Sequence, residues 1–124
     1  MKALTISIKS LLILAFLGAG IMKLSTPYAE MLDLPKFGWA EGYSAIQVSA
    51  IALVEITSAL ILLVSLFKKS FNIWAFVAGI VLILDMTGAI ATHVTREEPI
   101  LLNVVLLILA LSISLIKFIE FNRS

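Results

Sequence analysis

Apolar and polar residues in this chain segregate into long blocks instead of alternating around surface helices. Four apolar runs stand out, at residues 4–22, 44–66, 71–94 and 100–118. Each is near the roughly 20 residues that a helix needs to cross a bilayer. Backbone groups in hydrocarbon find no water to bond, so runs of this kind satisfy themselves as helices. The connections are short, which predicts an all-α fold: a four-helix transmembrane bundle of up-down topology, one domain spanning residues 1–124.

Lys9 interrupts the first run, and a lysine near a helix end is expected to snorkel its ammonium to the headgroups. Lys2 and Lys9 ahead of LLILAFLGAG also fit a cleaved signal peptide, but no A-x-A site follows and Lys23 comes instead. The first run is therefore read as a span. Between the first two runs lies LSTPYAEMLDLPKFGWAEGYSA, the only sizeable segment outside the spans. Pro27, Pro35, Gly38 and Gly42 break it too often for a long helix, leaving a short helical turn around Tyr28 to Leu32. Its aromatics, Tyr28, Phe37, Trp39 and Tyr43, read as an interfacial belt, with a lid over an outward-facing site as the alternative.

Composition agrees with the pattern. The 124 residues are 61% hydrophobic and 14% charged, against about one quarter charged in soluble domains, and the mean hydropathy is +1.13. A net charge of +1, scattered along the chain, leaves no footprint for nucleic acid. The absence of cysteine excludes a dithiol redox pair, a thiolate metal site and any disulfide, so a redox role would need a borrowed cofactor or partner.

Lys2, Lys9, Lys68, Lys69, Lys117 and Arg123 fall on one side of the expected bundle, and Lys23, Lys36 and Arg96 on the other. The positive-inside tendency then puts both termini and the Lys68–Lys69 turn in the cytoplasm, with the long loop and TREEP outside.

Depth along the helices, at about 1.5 Å per residue, orders the polar residues inside the runs. Glu55 falls at the middle of the second run. Asp85 falls about 14 Å below the outer end of the third, and His93 in its last turn. Lys23 closes the first run on the same side, and Gln47 and Asn103 lie one turn inside the second and fourth. Asp85, Gly88, Ala89 and Thr92 form one stripe, and Gln47, Ile51, Glu55 and Ser58 another. Ala15, Gly18, Ala19 and Gly20 allow the first helix to approach closely.

An ionised carboxylate at midplane costs about 2.5 to 3.5 kcal/mol on insertion scales, so Glu55 and Asp85 are expected to face the bundle interior. Two carboxylates in one low-dielectric interior cannot both ionise cheaply. One is expected to carry a proton unless Lys23 or His93 reaches it. Interhelical adhesion is the competing use for such residues. The pattern HVTREE lacks metal-ligand spacing, and the sequence names no catalytic residue.

Three stretches carry a family resemblance: FLGAGIMKL at residues 16–24, VEITSALILLV around Glu55, and MTGAIATHV before a proline-started last helix at Pro99. The chain resembles the DoxX and DoxX-like family of small four-helix membrane proteins. The family takes its name from a subunit associated with thiosulfate:quinone oxidoreductase. The resemblance implies Lys23, Glu55 and His93 as matching positions; Asp85 and Asn103 rest on depth alone. A thiol oxidoreductase of the same shape is excluded because no cysteine exists to do the exchange.

The expectation is an integral protein of a bacterial cytoplasmic membrane that binds a small hydrophobic or quinone-like molecule as a subunit of a redox complex. Lys23, Gln47, Glu55, Asp85, His93 and Asn103 are its ligand-binding or proton-handling candidates. No metal is expected, and no cofactor is identified beyond the quinone itself. Membrane lipid and a redox partner protein are the expected contacts, with homo-oligomerisation open. A proton- or cation-linked transporter and a ligand-free structural or assembly subunit are the alternatives.

Overall fold

The computed structural model describes residues 2–123; the side chains of residues 35, 36 and 121–123 lie outside that description, and with them the Lys36 and Arg123 charges counted above. Helix α1 covers Lys2–Ser25, a short α2 Tyr28–Met31, α3 Ala45–Phe67, α4 Asn72–Thr95 and α5 Leu101–Arg123. Four of these are long and apolar enough to cross a membrane. Among the described residues there is no strand. The bundle runs up and down, so that α1 packs most extensively on α3 and α4 on α5, α3 packs less on α4, and α1 and α5 close the ring with the smallest contact of the four neighbouring pairs.

Close approach of α1 and α3 follows from one glycine. A Cβ at Gly20 would stand 2.5 Å from Ile56 Cγ1 and 2.9 Å from the Ala52 carbonyl oxygen, whereas Gly18 faces open space. The small residues of the first span are therefore not equivalent. Leu12, Phe16, Leu62, Leu82 and Ile113 fill the core completely. Leu14, Ile46 and Leu101 point outward, an arrangement that would aggregate in water and suits hydrocarbon.

Both loop-end connections are set by local hydrogen bonding. Ser44 caps α3 in a reciprocal box: the Gln47 amide donates to Ser44 Oγ at 3.1 Å, and the Ser44 amide donates to Gln47 Oε1 at 2.9 Å. At the end of α4 the Glu98 amide donates to the His93 carbonyl at 2.8 Å and the Glu97 amide to the Val94 carbonyl at 3.1 Å. This is a Schellman turn, and Glu97 takes its left-handed position with φ 57°. The turn carries Glu98 back over His93.

The loop between α1 and α3 is packed around its own apolar cluster. Met31, Phe37, Ala40 and Val48 are buried together, with Tyr28, Trp39 and Tyr43 against them. Trp39 meets Phe37 and Tyr43 edge-on, at 6.3 and 5.8 Å between ring centres. Tyr28 donates its hydroxyl to the Tyr43 carbonyl. The loop closes one end of the bundle.

Lys9 also departs from expectation. It does not snorkel outward: it is 2% exposed and donates to the Ser65 carbonyl at 3.4 Å. The phase of α1 points it at α3 and α5, and an inward lysine at this level meets other polar groups instead of lipid.

Candidate functional site

Under the packed loop the four long helices diverge around a cavity of about 600 Å³. Its wall is mostly apolar, with Ala15, Phe16, Ala19, Met86, Ala89 and Leu106 among its lining. Five of the six sequence candidates, Lys23, Glu55, Asp85, His93 and Asn103, reach it from all four helices. Gln47 does not. Its side chain is committed to the Ser44 cap and is exposed, one helical position out of phase with the buried face of Val48, Ala52 and Glu55.

Lys23 and Glu55 form the electrostatic centre. Lys23 Nζ lies 2.5 Å from Glu55 Oε1, and Glu55 is 1% exposed. The same ammonium stands 5.5 Å from the centre of the Trp39 ring, a cation–π distance. Lys23 thus ties α1 to α3 and to the loop above. Asp85 enters from α4, close enough for its carboxyl to interact with that of Glu55 and with the Lys23 charge. Its Oδ2 is buried without a hydrogen-bond partner among the described residues. One ammonium therefore faces two carboxyl groups.

At the mouth, Thr92 Oγ1 donates to the Gly88 carbonyl at 2.9 Å, which leaves the Tyr43 hydroxyl to donate to Thr92 across 2.6 Å. His93 Nδ1 is 2.8 Å from Glu98 Oε1, leaving its Nε2 edge for the cavity side. Glu98 lies outside the spans, and its hydrogen bond with His93, aided by Arg96, holds its carboxyl below the usual value of 4.5. Arg96 reaches both Glu98 at 3.3 Å and Glu41 of the loop at 3.6 Å. These contacts hold the loop over the cavity.

The sequence reads Trp39 and Tyr43 as an interfacial belt or as a lid over a site, and the structure shows both lining the cavity; Glu98 is not among the sequence candidates. No local signal marks Glu98, because Glu97 holds the left-handed position where a glycine would announce the Schellman turn. Nothing local marked Trp39, because its partner Lys23 lies on another element. Among the described residues no three His, Cys, Asp or Glu side chains gather as metal ligands.

A bundle of four spanning helices around an amphipathic, loop-capped cavity defines a small polytopic integral membrane protein. The chain belongs to the DoxX-like family, whose sequence model matches residues 7–114. That match includes the Lys23, Glu55, Asp85, His93 and Asn103 positions. Neither a curated protein nor a solved structure matches the chain.

Proposed function

We propose that this DoxX-like protein binds a small hydrophobic, quinone-like molecule in the cavity beneath the loop and works as a subunit of a membrane redox complex. The observation that carries the reading is the cavity itself: an apolar chamber of about 600 Å³ with Lys23, Glu55, Asp85, His93 and Asn103 converging on it. Leu84 and Leu102 line it and are largely exposed on the bundle surface, so an apolar ligand has a route from lipid. Ring and tail would lie against Phe16, Met86 and Leu106.

In this reading Lys23 and His93 donate hydrogen bonds to the head-group oxygens. Reducing a quinone to a quinol takes two electrons and two protons. The electrons come from a redox centre of the partner, one proton reaches a quinone oxygen through Glu55 or Asp85, and the second is taken up from water at the loop-capped end. Against the transporter alternative, Leu12, Leu62, Leu82 and Ile113 pack solidly beneath the cavity and close the bundle. In a ligand-free assembly subunit the Lys23–Glu55 pair would serve as interhelical adhesion, but that use leaves the buried Asp85 Oδ2, on the same chamber, without a partner among the described residues.

Trp39 lines the cavity and reports on it, whereas Trp74 is exposed on α4. With Trp74→Phe as background, protein in phosphatidylcholine nanodiscs is titrated with decylubiquinone. Binding predicts saturable quenching of Trp39 that weakens in Asn103→Ala and Asp85→Asn. Quenching that rises linearly and equally in all variants would reflect partitioning into the bilayer and sink the reading.

A further inference from the structure

The other end of the bundle, where α1 begins and α5 closes, holds a second cavity of about 410 Å³ that the proposed function does not use. Four lysines line it: Lys2, Lys9, Lys69 and Lys117. Glu120 is the only carboxylate among its described lining residues, and it is half-exposed. Two of the lysines are inside the protein, Lys9 at 2% and Lys117 at 5% exposure, and they are close enough to interact with each other. Lys117 Nζ meets Glu120 at 3.1 Å, and Lys9 Nζ donates to the Ser65 carbonyl at 3.4 Å. An ammonium has three N–H groups, so both retain donors.

A second observation points the same way. Thr5 lines this cavity, is 7% exposed, and its Oγ1 is buried with no hydrogen-bond partner among the described residues. A buried hydroxyl left without a partner forfeits the hydrogen bonds it would make in water. Two buried like charges beside it are costlier than two dispersed on a surface. An anion with several acceptor oxygens would answer both needs at once, taking a bond from Thr5 and neutralising the excess of ammonium groups.

We propose that this cavity binds a phosphate group, with Lys9 and Lys117 as charge partners, Thr5 Oγ1 as a neutral donor, and Lys2 and Lys69 at the rim. Phosphate suits the site better than a carboxylate because its oxygens spread tetrahedrally toward donors on α1, α5 and the α3–α4 turn. The chamber exceeds a bare phosphate and leaves room for its ester substituent. That chemistry is shared by an anionic lipid headgroup and a soluble phosphate.

Delipidated full-length protein in a neutral maltoside is melted with increasing inorganic phosphate, against sodium chloride at matched ionic strength. In parallel it is melted in phosphatidylcholine nanodiscs with and without phosphatidylglycerol. A saturable rise in Tm with inorganic phosphate identifies a soluble source; a rise only with phosphatidylglycerol identifies the lipid headgroup. In either case Lys117→Met should weaken the response at least about tenfold in ligand concentration, the loss of one charge-assisted bond. Thr5→Val, which keeps the side-chain shape, should weaken it as well. No rise in either arm, or a rise untouched by both variants, would overturn the proposal.

Discussion

Lys23 Nζ and Glu55 Oε1 stand 2.5 Å apart where α1 and α3 border the cavity, and Glu55 is almost wholly excluded from the surface. Losing one member of a buried pair leaves the other charge uncompensated, at a cost of about 3–5 kcal/mol. Lys23→Met should destabilise the purified protein by that order, and Lys23→Met combined with Glu55→Gln should recover most of the loss. Thermal melting in detergent checks this double-mutant cycle. Equal losses in the single and double variants would mean that the pair contributes packing alone.

Glycine positions on α1 predict a sharp contrast between near neighbours. Gly20→Ala drives a methyl into Ile56 and the Ala52 carbonyl, and overpacking of that kind costs about 1–3 kcal/mol. Gly18→Ala meets nothing and gains helix propensity, so it should be neutral or slightly stabilising. Melting temperatures of the two variants give the comparison. Similar losses at both positions would refute the assigned helix phase.

Glu97 occupies the left-handed position of the α4 turn, where a Cβ is strained by roughly 1–2 kcal/mol. Glu97→Gly should raise stability by up to about 1 kcal/mol, the remainder being offset by glycine's freedom in the unfolded chain. A fall in Tm would show that the Glu97 side chain contributes more than its backbone costs.

The next residue predicts an acid-side pH dependence. The His93 hydrogen bond holds the Glu98 carboxyl below its usual 4.5, so this contribution to stability is present above 4.5 and disappears as pH falls through the lower folded value. Tm followed into the acid range should drop less steeply in Glu98→Gln than in the parent. Parallel curves would show that the His93–Glu98 contact does not couple to folding.

Orientation can be read without background labelling because the chain has no cysteine. If both termini are cytoplasmic, Ala29→Cys, exposed in the capping loop, should react with an impermeant maleimide in intact cells, and Lys68→Cys only after lysis. The reverse pattern would invert the bundle.

The sequence by itself determined the four spans and the helical class, because a bilayer leaves an apolar run of this length one backbone solution. It also brought Asp85 into view: a carboxylate in VLILDMTGAIATHV costs too much in lipid, and depth alone set it beside Glu55. Gly88, Ala89 and Thr92, on its stripe, line the same cavity. The tertiary structure decided what depth and periodicity leave open, namely which way each helix is rotated. The Ser44–Gln47 cap is local, and the Ser-x-x-Gln spacing at residues 44–47 already carries it in the sequence. Rotation separated Gly20 from Gly18 and turned Lys9 inward to share a chamber with Lys117. It also folded Trp39 over Lys23. These contacts join residues on different elements, and their partners are fixed by side-chain packing between helices, which a linear hydrophobic pattern encodes only to within a neighbouring position.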